Sequence, residues 1–441
     1  MRSLCNAPIL SMLFGASVLS AQATSVVREV APPSATSTHP FKFIFTVRET
    51  SGGRVIVNDA LRHQLVLLDA NFANPVVVID SSNPGGQSYG DYPSPLIKWL
   101  GDSSLHADQP SRALLVLDGS GKVIRTMAPP KQSDIGRLFA DQSGLDANGN
   151  ILYRGFNQLV ADTATSPDGA FVRKSHPSDS IGLVRGNFQT RLVDTIAKLK
   201  QDGSTKAVQT TTFAGKKFLH VTLNPLVSID EWAVLSDGTV AVVRGQDYHV
   251  DFTFADGTKK SSGKLPFDWK RLTDDDKQHL IDSSRKIIEK IRDQAADDGG
   301  ITAGNDAVVL YLRTSTTPNP RGTPSGATAN FTKSIEPTVT YDYAPLSEIA
   351  DYYPPIRVGA TKTDEEGNLW LLPTTSAQSK RGELVYDVVN PRGTPFYRVR
   401  LPVGRSIAGF GRNGVVYLMH REGDVWRLER TRVTTTVSAK D

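Results

Sequence analysis

One cysteine, Cys5, is all the thiol chemistry available to this chain of 441 residues. It lies in a stretch that reads as a secretion signal. Arg2 supplies a positive start, Ile9 to Leu19 an apolar run of signal-peptide length, and Ala21-Gln22-Ala23 an A-x-A cleavage site. With residues 1–23 removed, the chain is expected to be secreted or periplasmic and to carry no thiol, disulfide or lipid. Thiol catalysis and zinc–thiolate sites are thereby excluded. Long apolar runs are missing too: nothing downstream approaches the roughly 20 residues of a membrane span. Charge of one sign is also lacking. The 50 Lys and Arg are dispersed among 46 Asp and Glu with no basic run, and the formal charge of +4 falls to +3 once Arg2 leaves, which argues against nucleic acid as a partner. There is no G-x-S-x-G elbow, HExxH, P-loop or dinucleotide fingerprint. The eight histidines (His39, His63, His106, His176, His220, His249, His279, His420) stand singly, as surface or strand-packing residues do, rather than at ligand spacing.

What the chain does have is a repeat. Short strands open at Gly53 (GRVIV), Gly101 (GDSSLHA), Gly149 (GNILY), Gly238 (GTVAVV), Gly367 (GNLWLL) and Gly414 (GVVYLM), close to 48 residues apart where nothing intervenes. Most follow Asn, Asp or Glu turn residues, and Gly, Asn and Asp accept the positive φ of a tight hairpin before a β-branched run. Leu114-Leu115-Val116-Leu117-Asp118-Gly119 echoes Leu65-Val66-Leu67-Leu68-Asp69-Ala70. A repeat of about 40 to 50 residues with four-strand content is the mark of a β-propeller blade.

The spacing therefore predicts an all-β, six-bladed β-propeller over residues 41–433, preceded by a strand and linker at 24–40 and followed by an unstructured tail at 434–441. Surplus residues after Gly149 predict long loops at Ala161 to Pro177 and Lys200 to Pro225. An insertion between blades 4 and 5, about 266–345, carries a helix at about 274–296, with Leu280, Ile281, Ile287, Ile288 and Ile291 on one face and a Thr273–Asp276 capping box. The Pro/Gly/Thr-rich run that follows, within 301–340, predicts a mobile excursion. A ring of blades must not leave a sheet edge open. The run Ser25 to Val30 has the length and alternation to pair in the same sheet as Trp426 to Arg430.

GRVIVNDALRHQLVLLD, GDSSLHAD with LLVLDGSGKVIRT, DEWAVLSDGTVAVVRG, PLSEIADYYPPIRVGA, DEEGNLWLL and GRSIAGFGRNGVVYLMHREGDVWRLERTRV resemble exported six-bladed propellers of the NHL/TolB-like type. The resemblance covers nearly the whole chain after the signal, except the inserted loops. It implies architecture, with no family-wide catalytic assignment.

Candidate ligand-binding residues are polar groups where strands should meet the channel mouth: Asn58, Asp59, Arg62, His63, Arg137, Asp230, Glu231, Arg357 and Arg405. The resemblance to six-bladed enzymes implies one further use. Oxygens from Asn58, Asp59, Asp230 and Glu231 would contribute to a Ca2+ site on the axis, because a hard cation wants six to eight oxygen ligands. The bland alternative is that these charges solvate the mouth or pair with one another. The leading functional expectation is a monomeric binding or interaction scaffold for a protein or small molecule. The other is a metal-assisted hydrolase or lyase at the channel mouth, which needs His63, Asp59 and Glu231 to converge.

Overall fold

The computed structural model describes residues 26–82, 88–90, 93–108, 111–140, 143–156, 159–167, 169–201, 205–214, 216–298, 338–377, 382–392 and 396–437. The expected signal peptide, nearly all of the expected excursion and the last part of the expected tail lie outside the described residues.

The chain is all-β with few helices, built from antiparallel meanders in chain order. The first sheet holds Ile44–Glu49, Val55–Asp59, Gln64–Leu68 and Val76–Ile79. The second holds Ile97–Lys98, Ser104–Asp108, Ala113–Leu117 and Val123–Met127. The third holds Ser143–Leu145, Ile151–Arg154, Ser180–Gly186 and Val193–Lys200, and the fourth Glu231–Val234, Val240–Arg244, His249–Thr253 and Lys259–Ser261. A nine-stranded sheet completes the series. It joins the meander Thr361–Thr363, Leu369–Leu371, Val385–Val389, Tyr397–Arg400 to the meander Arg405–Phe410, Val415–Glu422, Val425–Val437.

Inner strands such as Val55-Ile56-Val57 and Ala113–Leu117 are apolar at every position because successive side chains point to opposite faces and both faces are covered. Val55 and Val57 pack with Ala408, Val415 and Tyr417, whereas Ile56 packs with Leu115 and Leu117. Leu114 and Val116 meet Ile151 and Tyr153, while Leu152 and Leu183 meet Trp232, Val240 and Val242. Ala241 and Val243 meet Leu369 and Leu371, and Trp370 and Val388 meet Ile407, Val416 and Leu418. The interfaces thus return to their start, a propeller-type arrangement. Leading strands lie side by side: Arg405–Phe410 beside Ile44–Glu49, Ser143–Leu145 beside Glu231–Val234, and the latter beside Thr361–Thr363. All six leading glycines have positive φ. At Gly238 space adds a second constraint: a Cβ there would come within 2.1 Å of the Ala147 main-chain nitrogen, so the hairpins of the third and fourth sheets touch only because glycine is present.

The N-terminal strand Val27–Val30 sits between the two halves of the nine-stranded sheet, parallel to Tyr397–Arg400 and antiparallel to Val425–Val437. It lies in the same sheet as Trp426 to Arg430, as expected, and pairs with the part of that strand beyond them. Arg28 lies opposite Val437 and Val30 opposite Val433, while the stretch Trp426 to Arg430 pairs with Ala35–Thr36 and Phe41. The reason is that the last strand continues to Val437, through residues read as tail, and takes up the N-terminal segment farther along. Pro32 and Pro33, which lack an N–H, separate two paired stretches, with Ala31 N–H donating to the Arg432 carbonyl (2.8 Å) and Ser34 N–H to the Arg430 carbonyl (2.7 Å).

The stretches expected as loops at 161–177 and 200–225 are largely strands of an additional sheet. Its order is Leu159–Thr165, Phe171–Pro177, Thr205–Phe213, Lys216–Leu223, Thr338–Tyr343, drawn from three separate places in the chain. No clean alternation marks it because most of its described side chains on both faces stay in contact with water, with Phe171 and Phe218 exposed and, among the described residues, Ser175, Val221 and Leu223 buried.

Among the described residues three α-helices interrupt the strands, α1 (Ile135–Ala140), α2 (Asp274–Asp298) and the single turn α3 (Thr374–Ala377). The capping box at the start of α2 forms, with Asp276 Oδ2 accepting the Thr273 N–H at 3.0 Å and Thr273 Oγ1 accepting the Asp276 N–H at 3.2 Å. The buried face is narrower than the isoleucine pattern implied. Ile281 packs with Leu226, Leu272, Ala344 and Ile349, Leu280 and Ile288 are half-buried, and Ile287 is 47 % exposed. Lys277 is buried instead, its ammonium donating to the Leu346 carbonyl (3.1 Å) and pairing with Asp351 (2.7 Å). The Ile291 side chain lies outside the described residues.

Candidate functional site

Second strands end, and first strands begin, at one end of the assembly, so Asn58, Asp59, Glu231 and Arg405 share that end. Asn58 and Asp59 are fully buried. Asn58 Nδ2 donates to the Ser94 carbonyl (2.7 Å) and its Oδ1 accepts the Tyr89 hydroxyl (2.6 Å). The two Asp59 oxygens accept the Lys42 and Phe43 N–H groups at 3.0 Å, with Arg62 at 3.7 Å. Arg62 also donates to the Pro40 carbonyl. His63, at φ 53, lies 5.5 Å from the Tyr89 ring.

Farther round, Asp230 accepts the Lys200 N–H (2.9 Å), the Gly245 N–H (3.1 Å) and Arg244 (2.8 Å). Glu231 pairs with Arg154 at 2.5 Å, both buried, and Thr361 on the next strand lies 3.4 Å away. Arg405 makes a two-pronged contact with Glu429 at 2.9 and 3.0 Å. Arg137, on α1, stacks its guanidinium 4.5 Å over Phe156, and Arg357 is exposed. The structure therefore joins Asn58 to His63 through Tyr89, and Asp59 to Arg62. It gives Asp230 and Glu231 separate arginine partners. Among the described residues no three His, Cys, Asp or Glu side chains stand together as metal ligands.

The group missed at this end is His106. It is 1 % exposed, its ring lies 5.1 Å from Tyr89, and neither ring nitrogen has a partner among the described residues. Burial pushes its imidazole down to about 4. The unfolded chain, with an ordinary histidine near 6.5, then binds the extra proton first. Stability contributed by neutral His106 is complete above about pH 6.5 and is lost as pH falls toward 4, by on the order of 3 kcal/mol. Urea unfolding at pH 7 and pH 4.5 should show this loss in the parent and a smaller one in His106→Phe; equal losses would rule it out.

At the opposite end, Glu365 in the Asp364-Glu365-Glu366-Gly367 turn pairs with Lys98 of the second sheet and lies 3.6 Å from buried Arg48 of the first. Arg412 reaches Asp102 at 2.8 Å, and Glu366 accepts the Gly414 N–H at 2.7 Å. Such pairs between sheets distant in the chain cross-brace this end. Turn chemistry in the sequence marks Glu365, Glu366 and Arg412, but not the partners they reach.

A groove of about 740 Å3 opens between the second and third sheets. Trp99 and Phe188 meet edge to face in it, 5.1 Å apart at 89°. Arg125, Arg191, Asn148 and Gln189 supply its polar lining. Arg191 is anchored to the Ala128 and Pro129 carbonyls (3.0 and 2.7 Å), whereas Arg125 meets only the Met127 sulfur at 2.8 Å among the described residues. Aromatic walls with a few polar groups, at this volume, have the make-up of a small-molecule site.

No protein-family model matches the chain, and no curated protein does. Among solved structures it is similar to a putative exported protein from Bacteroides fragilis, at 10 % identity and a TM-score of 0.41 over 93 % of this chain and 99 % of that one. It is similar to a member of the DUF4221 family from Bacteroides vulgatus at 9 % identity, TM-score 0.41, with the same two coverages. Virginiamycin B lyase from Staphylococcus aureus is matched at 8 % identity and TM-score 0.37 over 90 % of this chain and 99 % of that one. Likenesses this distant name no activity for the chain. Among the described residues no helix is long and apolar enough to cross a membrane.

Proposed function

We propose that this protein is an exported binding scaffold: a six-bladed propeller of NHL/TolB-like type, with a helical insertion between blades 4 and 5, acting as a monomer after cleavage near Ala23. The cyclic run of sheet interfaces and the closing N-terminal strand support the six-blade count. The ligand site is the groove between the second and third blades, and the ligand is a small organic acid with a ring. The observation that carries this reading is the crossed Trp99–Phe188 pair beside Arg125, a guanidinium with no carboxylate partner among the described residues. The channel mouth, where Arg357 is exposed, forms a second contact surface of the same scaffold. A metal-assisted hydrolase or lyase would need the mouth acids for catalysis, but Asp59 and Asp230 are occupied by main-chain N–H groups and Glu231 by Arg154.

Calorimetric titration with a panel of aromatic carboxylates and uronic acids tests the site. At least one member should bind, and Trp99→Ala and Arg125→Ala should each weaken it by on the order of ten-fold, about 1.4 kcal/mol. Binding by no member, or binding that survives both substitutions, would overturn the reading.

A further inference from the structure

The cations on or beside the central strands are almost all matched. Arg48 and Lys98 face Glu365, Arg154 faces Glu231, Arg405 faces Glu429 and Arg412 faces Asp102. Lys362 is the exception. It sits in the middle of Thr361–Thr363, a central strand beside Glu231–Val234, and has no hydrogen bond or ion pair among the described residues.

Strand geometry fixes its direction. Thr361 turns toward the fourth sheet, donating to the Trp232 carbonyl at 2.9 Å. Lys362, one residue on, takes the other face, which it shares with its cross-strand neighbour Trp370. Trp370 lies 5.0 Å from Phe410 of the next meander and 6.0 Å from Tyr386, so this face is aromatic and apolar. The acid two residues on, Asp364, is fully engaged: it accepts the Glu366 and Asn368 N–H groups, the Asn368 amide and the Trp370 indole N–H. Lys362 is thus surrounded by protein yet keeps partial contact with solvent, and no neighbouring charge compensates its own. An isolated cation in such surroundings is costly, and the amine escapes the cost by losing its proton.

The geometry points to Lys362 as a carbonyl-binding amine, one that condenses with the aldehyde or ketone group of a small molecule entering at the centre of the ring. The free ε-amine adds to the carbonyl carbon, a C–N bond forms, and the carbonyl oxygen departs as water with both amine hydrogens. The product is an imine, and no oxidant or reductant is consumed. Burial with no opposing acid holds the ammonium below the usual lysine range, which raises the share of free amine near neutral pH. This inference is independent of the groove.

Acetaldehyde with cyanoborohydride is the probe: the imine forms on the folded chain, the reductant fixes it as an ethylamine, and peptide mapping reads each lysine. Lys362 should label on the order of ten-fold faster than exposed lysines such as Lys122 and Lys259, and the preference should vanish in guanidinium chloride. Lys362→Met, uncharged and without an amine, should keep the parent's melting temperature and lose the fast-labelling site, while Trp99→Ala should keep that site. Labelling of Lys362 no faster than the exposed lysines, a preference that persists in the unfolded chain, or a fast site that survives Lys362→Met would each overturn the assignment.

Discussion

A chain beginning at residue 38 should be less stable than one beginning at residue 24 by on the order of 5 kcal/mol, and should aggregate when warmed. The missing segment closes two sheet edges at once. Val26 accepts the Arg398 N–H at 2.9 Å on one side, and on the other Ala31, Ser34 and Ser37 donate to Arg432, Arg430 and Leu428 at 2.7 to 2.8 Å. Side chains add to this: the Arg28 guanidinium stacks 4.0 Å over Tyr397, and Glu29 lies 3.3 Å from Arg400. At about 1 kcal/mol net for each main-chain bond, the bonds alone account for most of the effect. Without the segment, Tyr397–Arg400 and Val425–Val437 expose unpaired N–H and C=O groups, the template for edge-to-edge association. Thermal unfolding with size-exclusion chromatography checks it; an unchanged melt and a monomeric profile would show that the ring closes without the segment.

Glu231→Leu should cost about 3–5 kcal/mol, although the substitution removes a charge and adds an apolar side chain. The side chains of Arg154 and Glu231 are 9 % and 2 % exposed, and at 2.5 Å each compensates the other's desolvation. Removing the carboxylate leaves a guanidinium in a low-dielectric interface between the third and fourth sheets with its main counter-charge gone. Arg154→Met should be similarly damaging, and the double replacement should recover much of the loss, because two apolar side chains fit an interface already formed by Leu152, Trp232 and Val240. Urea unfolding of all four proteins gives the coupling. Additive losses would mean that the pair does not act as a unit.

The contrast between these two predictions shows what the sequence made legible. A closing strand was readable at Ser25 to Val30, from local alternation and from the physical need to cover an edge. Its register was not, because Val425–Val437 continues past the point where sequence suggested a tail, and register depends on how far a partner strand extends. The Arg154–Glu231 pair left no local trace: an arginine ending the ILYR strand looks like any strand terminus until another sheet brings Glu231 against it. The same holds for Glu365 and Lys98: local sequence marks Glu365 as a turn residue and gives nothing that pairs it with Lys98.

Turn chemistry and β-branched runs operate within a few residues, so the sequence by itself determined the meander period, the six leading glycines with positive φ and the capping box of α2. The additional sheet, whose strands at 216–223 and 338–343 pair in parallel across more than a hundred residues, was decided only by tertiary structure, because parallel partners carry no shared local signal. So was the isolation of Lys362. Whether a buried lysine has a partner depends on which acids the folded ring brings near it, and here the closest in sequence, Asp364, is taken by Asn368 and Trp370. Local spacing sets the direction in which a side chain points, and packing sets what it meets there.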